Sequence, residues 1–374
     1  MIAGAGLAGC IVALLLARAA VRTVVLDARA PGHGATGRSA GFLIRGTADH
    51  PDRVADIIGL ERARALWRYT ETSIDYLIGL VAGLGIDCGL QREGGLVLAL
   101  DADERASLKR SRDLVETGDV WSAADVRHRT GFRHFSGGWF RPGDGMLDPA
   151  RLCGGLARAA VQAGAHLSSC TRVLDIAGDG ALRVRTDRGE VRAERVVLAV
   201  NAALPLLDDR FAVRLYPVRA QMHATAPAQG PSLPWPVYAN HGYEYWRQQP
   251  TGELLFGGCR WAEEPARECG IADDTGVSER ILSAQREFVR RHLPRFASLP
   301  VTSTWAGIMA FTADSMPLVG AVPGDERRIV CAGWNGHGLA QAPLAARIVA
   351  ESILGRPGDA VLPAGLSPAR FDVS

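Results

Sequence analysis

Apolar and polar positions divide the chain into segments with distinct periods. After Ile2 and Ala3 the chain passes Gly4-Ala5-Gly6, then runs through small and aliphatic residues from Cys10 to Ala20 with Arg18 as its one charge. Good helix formers dominate that run, which predicts a helix. Thr23-Val24-Val25-Leu26, ending at Asp27, predicts a short strand. Gly95 to Leu100 reads as an apolar strand, and Asp148-Pro149 opens a helix to Ala163 with the aspartate as cap and the proline in the first turn. Tyr216 to His223 and Gly242 to Arg247 alternate with period two, and Glu253 to Arg260 follows a Thr251-Gly252 turn, so these predict sheet strands. Trp246 falls on such a strand and is expected to pack in the sheet. A strand over Arg195 to Val200 and a helix from Leu339 to Leu354 complete the plan, and the tail after Pro357 reads as a surface extension.

Composition narrows the class. The 374 residues are 47% hydrophobic and 22% charged, as in folded globular proteins. A net charge of +2, with basic residues clustered no further than pairs such as Arg290-Arg291 and Arg327-Arg328, gives no footprint for nucleic acid. Lys109 is the only lysine, which reads as base-composition bias. The seven cysteines are odd in number and never in C-x-x-C spacing, arguing for a reducing compartment and against disulfides or a zinc site, so no metal is expected. Ile2 to Val21 has no basic leader and is broken by Arg18 and glycines, so neither a signal peptide nor a membrane span is expected, and a cytoplasmic location follows.

The opening segment carries chemistry. Gly4, Gly6 and Gly9 form G-x-G-x-x-G between a strand stub and a helix, and Asp27 ends the next strand 18 residues after Gly9. A dinucleotide-binding βαβ unit needs this order: Gly4 for the tight turn, Gly6 for close approach of pyrophosphate, Gly9 for helix–strand packing, and an acid for the ribose hydroxyls. Leu7 and Ala8, at the helix start, present N–H groups to the phosphates. Only three residues precede Gly4, where strands usually run about 5. After Asp27 and Ala28, the stretch Thr36-Gly37-Arg38-Ser39-Ala40-Gly41-Phe42 adds a second small-residue, hydroxyl-bearing loop, which suits a cofactor longer than NAD.

At these residues the chain resembles the D-amino-acid oxidase superfamily of flavoproteins, which includes glycine oxidase, sarcosine oxidase and γ-glutamylputrescine oxidase, with the nearest look to the last. The resemblance extends through Gly143 to Leu152, through Arg195 to Ala203, and most specifically through Trp305 to Gly320 and Ala332 to Pro343. It implies a Rossmann-like α/β domain that binds FAD, with an antiparallel sheet as substrate cap. It places Val173 against adenine, Asn201 near pyrophosphate, and Gly307, Met309, Asn335, Gly336, His337, Gly338 and Leu339 around the flavin. The implied domains are 1–88, 145–208 and 305–374 for FAD, and 89–144 and 209–304 for the cap.

The implied reaction is hydride transfer from an amine-bearing carbon to flavin N5, giving an imine that water hydrolyses, with hydrogen peroxide as the expected by-product. Tyr243, Tyr245, Arg260, Met309 and His337 are the candidates to line the substrate space. In amino-acid oxidases of this superfamily an arginine commonly follows the glycine that Gly307 matches; here Ile308-Met309 stands there, which points toward an amine, an N-alkyl amine or a larger amino-acid-like metabolite. Gly307 also stands where sarcosine oxidases carry a flavin-linking cysteine, so non-covalent FAD is expected. No lysine stands near Ala340 to help oxygen react, leaving Arg260 or protonated His337 to substitute, or a dehydrogenase with another acceptor. Three further classes fit parts of the pattern: a flavin-holding subunit of a hetero-complex, an NAD dehydrogenase, and an aromatic monooxygenase, whose Gly-Asp motif is replaced by Gly333-Trp334-Asn335.

Overall fold

The computed structural model describes residues 1–178, 180–356, 358, 362–363 and 365–371. Six strands form one sheet in the order Leu318–Val322, Asp325–Ala332, Val196–Leu198, Ile2–Ala3, Val24–Leu26 and His166–Ser168. Every pairing is parallel except that of Leu318–Val322. Strands covered on both faces need apolar residues throughout, as Val24-Val25-Leu26 and Val196-Val197-Leu198 supply. Ile2, Val25 and Val197 face the helices Leu7–Arg18, Leu60–Leu84, Pro149–Gln162 and Gly338–Ile353. Ala3, Leu26, Val196 and Leu198 face an antiparallel meander of Val173–Ala177, Leu182–Thr186 and Gly189–Ala193.

Local chemistry sets the element limits. The first helix begins at Leu7, three residues before the expected start, because the Leu7 N–H finds an acceptor in Thr36 Oγ1 at 3.2 Å. Gly9 lies inside this helix, and a Cβ there would stand 1.9 Å from the Gly4 carbonyl oxygen. Asp148 caps Pro149–Gln162 by accepting from the Ala150 and Arg151 N–H groups, both at 2.9 Å.

A second sheet of eight strands runs Val301–Thr312, Leu215–Pro227, Glu253–Gly258, Glu244–Gln248, Val237–Ala239, Gly95–Ala99, Gly137–Arg141 and Asp119–Ser122. All its pairings are antiparallel except that of Val237–Ala239 with Gly95–Ala99. Trp246 is fully buried there against Phe132 and Phe256. Val301–Thr312 pairs along its length with Leu215–Thr225, so the domain limit expected at residue 305 falls inside one strand of this sheet. The described tail departs from the expected surface extension: Leu366 is buried and accepts from the Val319 N–H at 2.9 Å, while Arg370 pairs with Asp314. Pro357 itself lies outside the described residues.

Candidate active site

Between the parallel sheet and the eight-stranded sheet lies a cleft of about 530 Å³. At one end Gly4, Gly6, Leu7 and Ala8 meet Asp27, Ala28, Val173 and the segment Thr36 to Phe42. Gly4 holds φ +99°, and a Cβ there would stand 2.5 Å from the Ala199 carbonyl oxygen, so only glycine makes this turn. Asp27 accepts from the Ala5 N–H at 2.6 Å and the Arg29 N–H at 2.7 Å; burial nonetheless raises its pKa above the ordinary carboxylate value. A tight glycine turn, a helix N-terminus and an acid at the next strand end fit a dinucleotide.

Gly9 serves packing, as its place in the motif predicts, and so does Gly37. Gly9 and Gly37 do not line the cleft. A Cβ at Gly37 would lie 2.4 Å from the Gly32 carbonyl oxygen, so this glycine lets its short helix close on the preceding turn. Arg38 lines the cleft but is partly engaged elsewhere, donating to the Ala306 carbonyl at 2.8 Å and pairing with Asp274 at 3.3 Å.

The other end is built by chain segments remote in sequence. Asn201 and Asn335 both stand at φ +48°, a left-handed conformation that asparagine tolerates. Asn201 Oδ1 accepts from the Gly333 N–H at 3.1 Å, and Asn335 Oδ1 accepts from the Thr312 N–H at 2.9 Å, fixing the turn that leads to Gly338–Ile353. Gly336, His337, Gly338 and Leu339 present the start of that helix to the cleft opposite Gly307 and Met309. A helix start there offers free N–H groups and a positive dipole end.

His337 stacks on Tyr238 with ring centroids 5.9 Å apart, and its Nδ1 is buried with no hydrogen-bond partner. Burial lowers its pKa to about 4. Burial thus favours the neutral form of this ring. Tyr245 is pushed up to about 12 by burial, and Tyr238 is raised for the same reason. Arg260 lies 5.7 Å from the Tyr243 ring and 5.9 Å from that of Phe311, and among the described residues no acid pairs with it. Lys109 sits on the helix Ala102–Val115, away from the cleft.

Sequence reading missed Arg29, Ile44, Tyr238 and Phe311, which also line the cleft. Tyr238 sits on a strand of only three residues, too short to show an alternating pattern. Phe311 had a legible signal, since it follows Met309 on one strand.

A βαβ glycine turn with an acid at the next strand end, sharing one cleft with a large sheet whose strands bring in Tyr238 and Tyr245, defines the class of dinucleotide-dependent oxidoreductases. The chain belongs to the DAO family of FAD dependent oxidoreductases, which it matches over residues 1–352, and is an FAD-dependent enzyme. It is 29% identical to a glycine oxidase of Bacillus licheniformis, over 96% of this chain and 93% of that protein. It is 26% identical to a γ-glutamylputrescine oxidoreductase of Escherichia coli, over 95% of this chain and 83% of that protein. The crystal structure of glycine oxidase from Geobacillus kaustophilus superposes with a TM-score of 0.85 at 25% identity, covering 99% of this chain and 97% of that one. Among the described residues no helix is long and apolar enough to cross a membrane.

Proposed function

We propose that the protein oxidises the C–N bond of a small amine that also carries an anionic group, such as an amino acid, an N-alkyl amino acid or a larger amino-acid-like metabolite. The observation that carries this reading is Arg260, which brings a guanidinium with no acid partner into the cleft between Tyr243 and Phe311. Such a fork is suited to a carboxylate, and Ile308 and Met309 stand in the same cleft as an apolar wall. Bound FAD supplies a two-electron acceptor that takes hydride from the amine-bearing carbon, leaving an imine for water to hydrolyse.

The chain's own residues hold, orient and exclude water. Gly4, Gly6, Leu7, Ala8 and Asp27 hold the dinucleotide end, and the start of Gly338–Ile353 stabilises negative charge at the ring end. Phe42, Met309, Tyr238 and Tyr245 enclose the reacting face, where His337 and the tyrosines remain neutral and polarise without charge. No cysteine lines the cleft among the described residues, which supports non-covalent FAD.

Hydrogen peroxide is the by-product if oxygen takes the electrons. A dehydrogenase with another acceptor is the second reading, favoured by a lining that, among the described residues, holds arginines and no lysine. The test is anaerobic mixing of the yellow holoenzyme with amines, N-methyl amino acids and D- and L-amino acids, followed at the flavin band. Bleaching by one class, with recolouring and peroxide on admitting air, supports the oxidase; bleaching without rapid recolouring supports the dehydrogenase. Failure of every carboxylate-bearing amine to bleach the flavin overturns the substrate assignment.

A further inference from the structure

Outside the cleft, three side chains with metal-binding chemistry converge from distant parts of the chain. His50 precedes the helix Pro51–Ile58, Glu104 lies in the first turn of Ala102–Val115, and His241 sits in the turn between Val237–Ala239 and Glu244–Gln248. One ligand atom from each lies within 4.8 Å of the others. We propose that His50, Glu104 and His241 bind a single divalent cation of the zinc class, which clamps the rim of the cleft.

Two buried nitrogens lack partners here, His50 Nε2 and His241 Nδ1. His50 is 6% exposed and Glu104 1%, so water does not satisfy the cluster freely. An unpaired buried polar atom is costly, and a lone pair aimed at a cation removes that cost. The tautomer of His50 is set by its surroundings. Ser107 Oγ donates to Asp52 Oδ1 at 2.8 Å, so at 3.2 Å from His50 Nδ1 it acts as acceptor. The proton is therefore on Nδ1 and the lone pair on Nε2, the outer-shell arrangement seen behind metal-bound histidines.

The other ligands are held as firmly. Glu104 accepts from the His241 N–H at 2.6 Å and the Leu100 N–H at 2.8 Å, which fixes the carboxylate while leaving further lone pairs. Two imidazoles and one carboxylate suit a d-block cation and disfavour magnesium or calcium. Tetrahedral zinc with bonds of about 2.0–2.1 Å needs donors about 3.3 Å apart, so loading draws the cluster inward by roughly an ångström.

That contraction has a place to act. Ala48, Gly242 and Tyr243 all line the cleft, whereas none of the three ligands does. A Cβ at Gly242 would touch the Ala48 carbonyl oxygen at 3.4 Å, so the turn already rests on this segment. The cation would pin both to the helix that carries Glu104, setting where Tyr243 stands.

The test uses holoenzyme stripped with a chelator, dialysed, and titrated with zinc by calorimetry, with metal analysis after gel filtration. One zinc per chain is expected, and His241→Asn and His50→Asn each lower the affinity about 100-fold. His134→Asn, at a histidine outside the cluster, leaves it unchanged. His241 is partly exposed, so its variant is expected to keep the zinc-free melting temperature and flavin spectrum; if His50→Asn fails to fold, His241→Asn decides alone. No stoichiometric zinc in the wild type, or equal affinity in His241→Asn, overturns the site. Both readouts are independent of turnover.

Discussion

At the residue scale, charge without a partner and glycine without an alternative carry the strongest expectations. Arg260→Gln should raise KM for carboxylate-bearing substrates about 10–100-fold while changing turnover of carboxylate-free amines little, because the lost interaction is with the anion alone. Arg260→Lys should not restore it, since an ammonium cannot reproduce the fork. Steady-state kinetics on a matched substrate pair checks both. Gly4→Ala forces a left-handed φ of +99° on a residue whose Cβ meets a carbonyl oxygen at 2.5 Å. The variant should purify without FAD, read as the ratio of flavin to protein absorbance. Gly4, Gly6 and Asp27 were legible from spacing because the βαβ turn is local. Arg260 was legible only as a candidate, since Tyr243, Arg260 and Phe311 meet through strands far apart in sequence.

At the scale of elements, periodicity and capping located three helices, Leu7–Arg18, Pro149–Gln162 and Gly338–Ile353, and several strands, and neighbours set their ends. Asp148 shows how a cap is read directly: a side-chain acceptor followed by proline starts the helix Pro149–Gln162. Asp148→Ala should cost about 1 kcal/mol, seen as a lower urea midpoint with an unchanged flavin spectrum. The strand Leu215–Pro227 alternates over its first half only; beyond it, residues 220–225 are all buried. The reason is tertiary, because Gln285 on the helix Glu279–His292 donates to the Gln221 and Gly258 carbonyls and covers the outer face. The parallel pairing of Val237–Ala239 with Gly95–Ala99 was likewise invisible, since period two says which face a residue takes and nothing of its partner's direction.

Over the whole molecule, buried charge ties the eight-stranded sheet to the segment after Phe42 and to the helix Leu60–Leu84. Asp144 pairs with Arg45 at 2.9 Å and Arg141 at 2.6 Å, and Arg45 and Arg141 both lie over Trp67. Asp144→Asn leaves the buried Arg141 without its counter-charge and Arg45 with Glu71 alone at 3.0 Å, and should cost about 3–5 kcal/mol, measured by denaturant unfolding. Acid should also destabilise the protein through its buried histidines. The His337 pKa falls from an ordinary 6.5 to about 4 on folding, and His223 is lowered too by burial. Below about 6.5 the unfolded chain takes up protons that the folded one refuses, so stability declines from there toward pH 4 and is undiminished by these groups above pH 7. His337→Gln should flatten part of that decline in urea midpoints measured from pH 7.5 to 4.5. By itself the sequence determined the phosphate cradle, the helices around it and the class of cofactor, because glycine spacing, caps and apolar runs act through neighbours along the chain. Only the tertiary structure decided which side chains face one another: Tyr238 against His337, Arg260 against Phe311, and His50 with Glu104 and His241. Such meetings depend on strand order and direction, which sequence patterns do not encode locally.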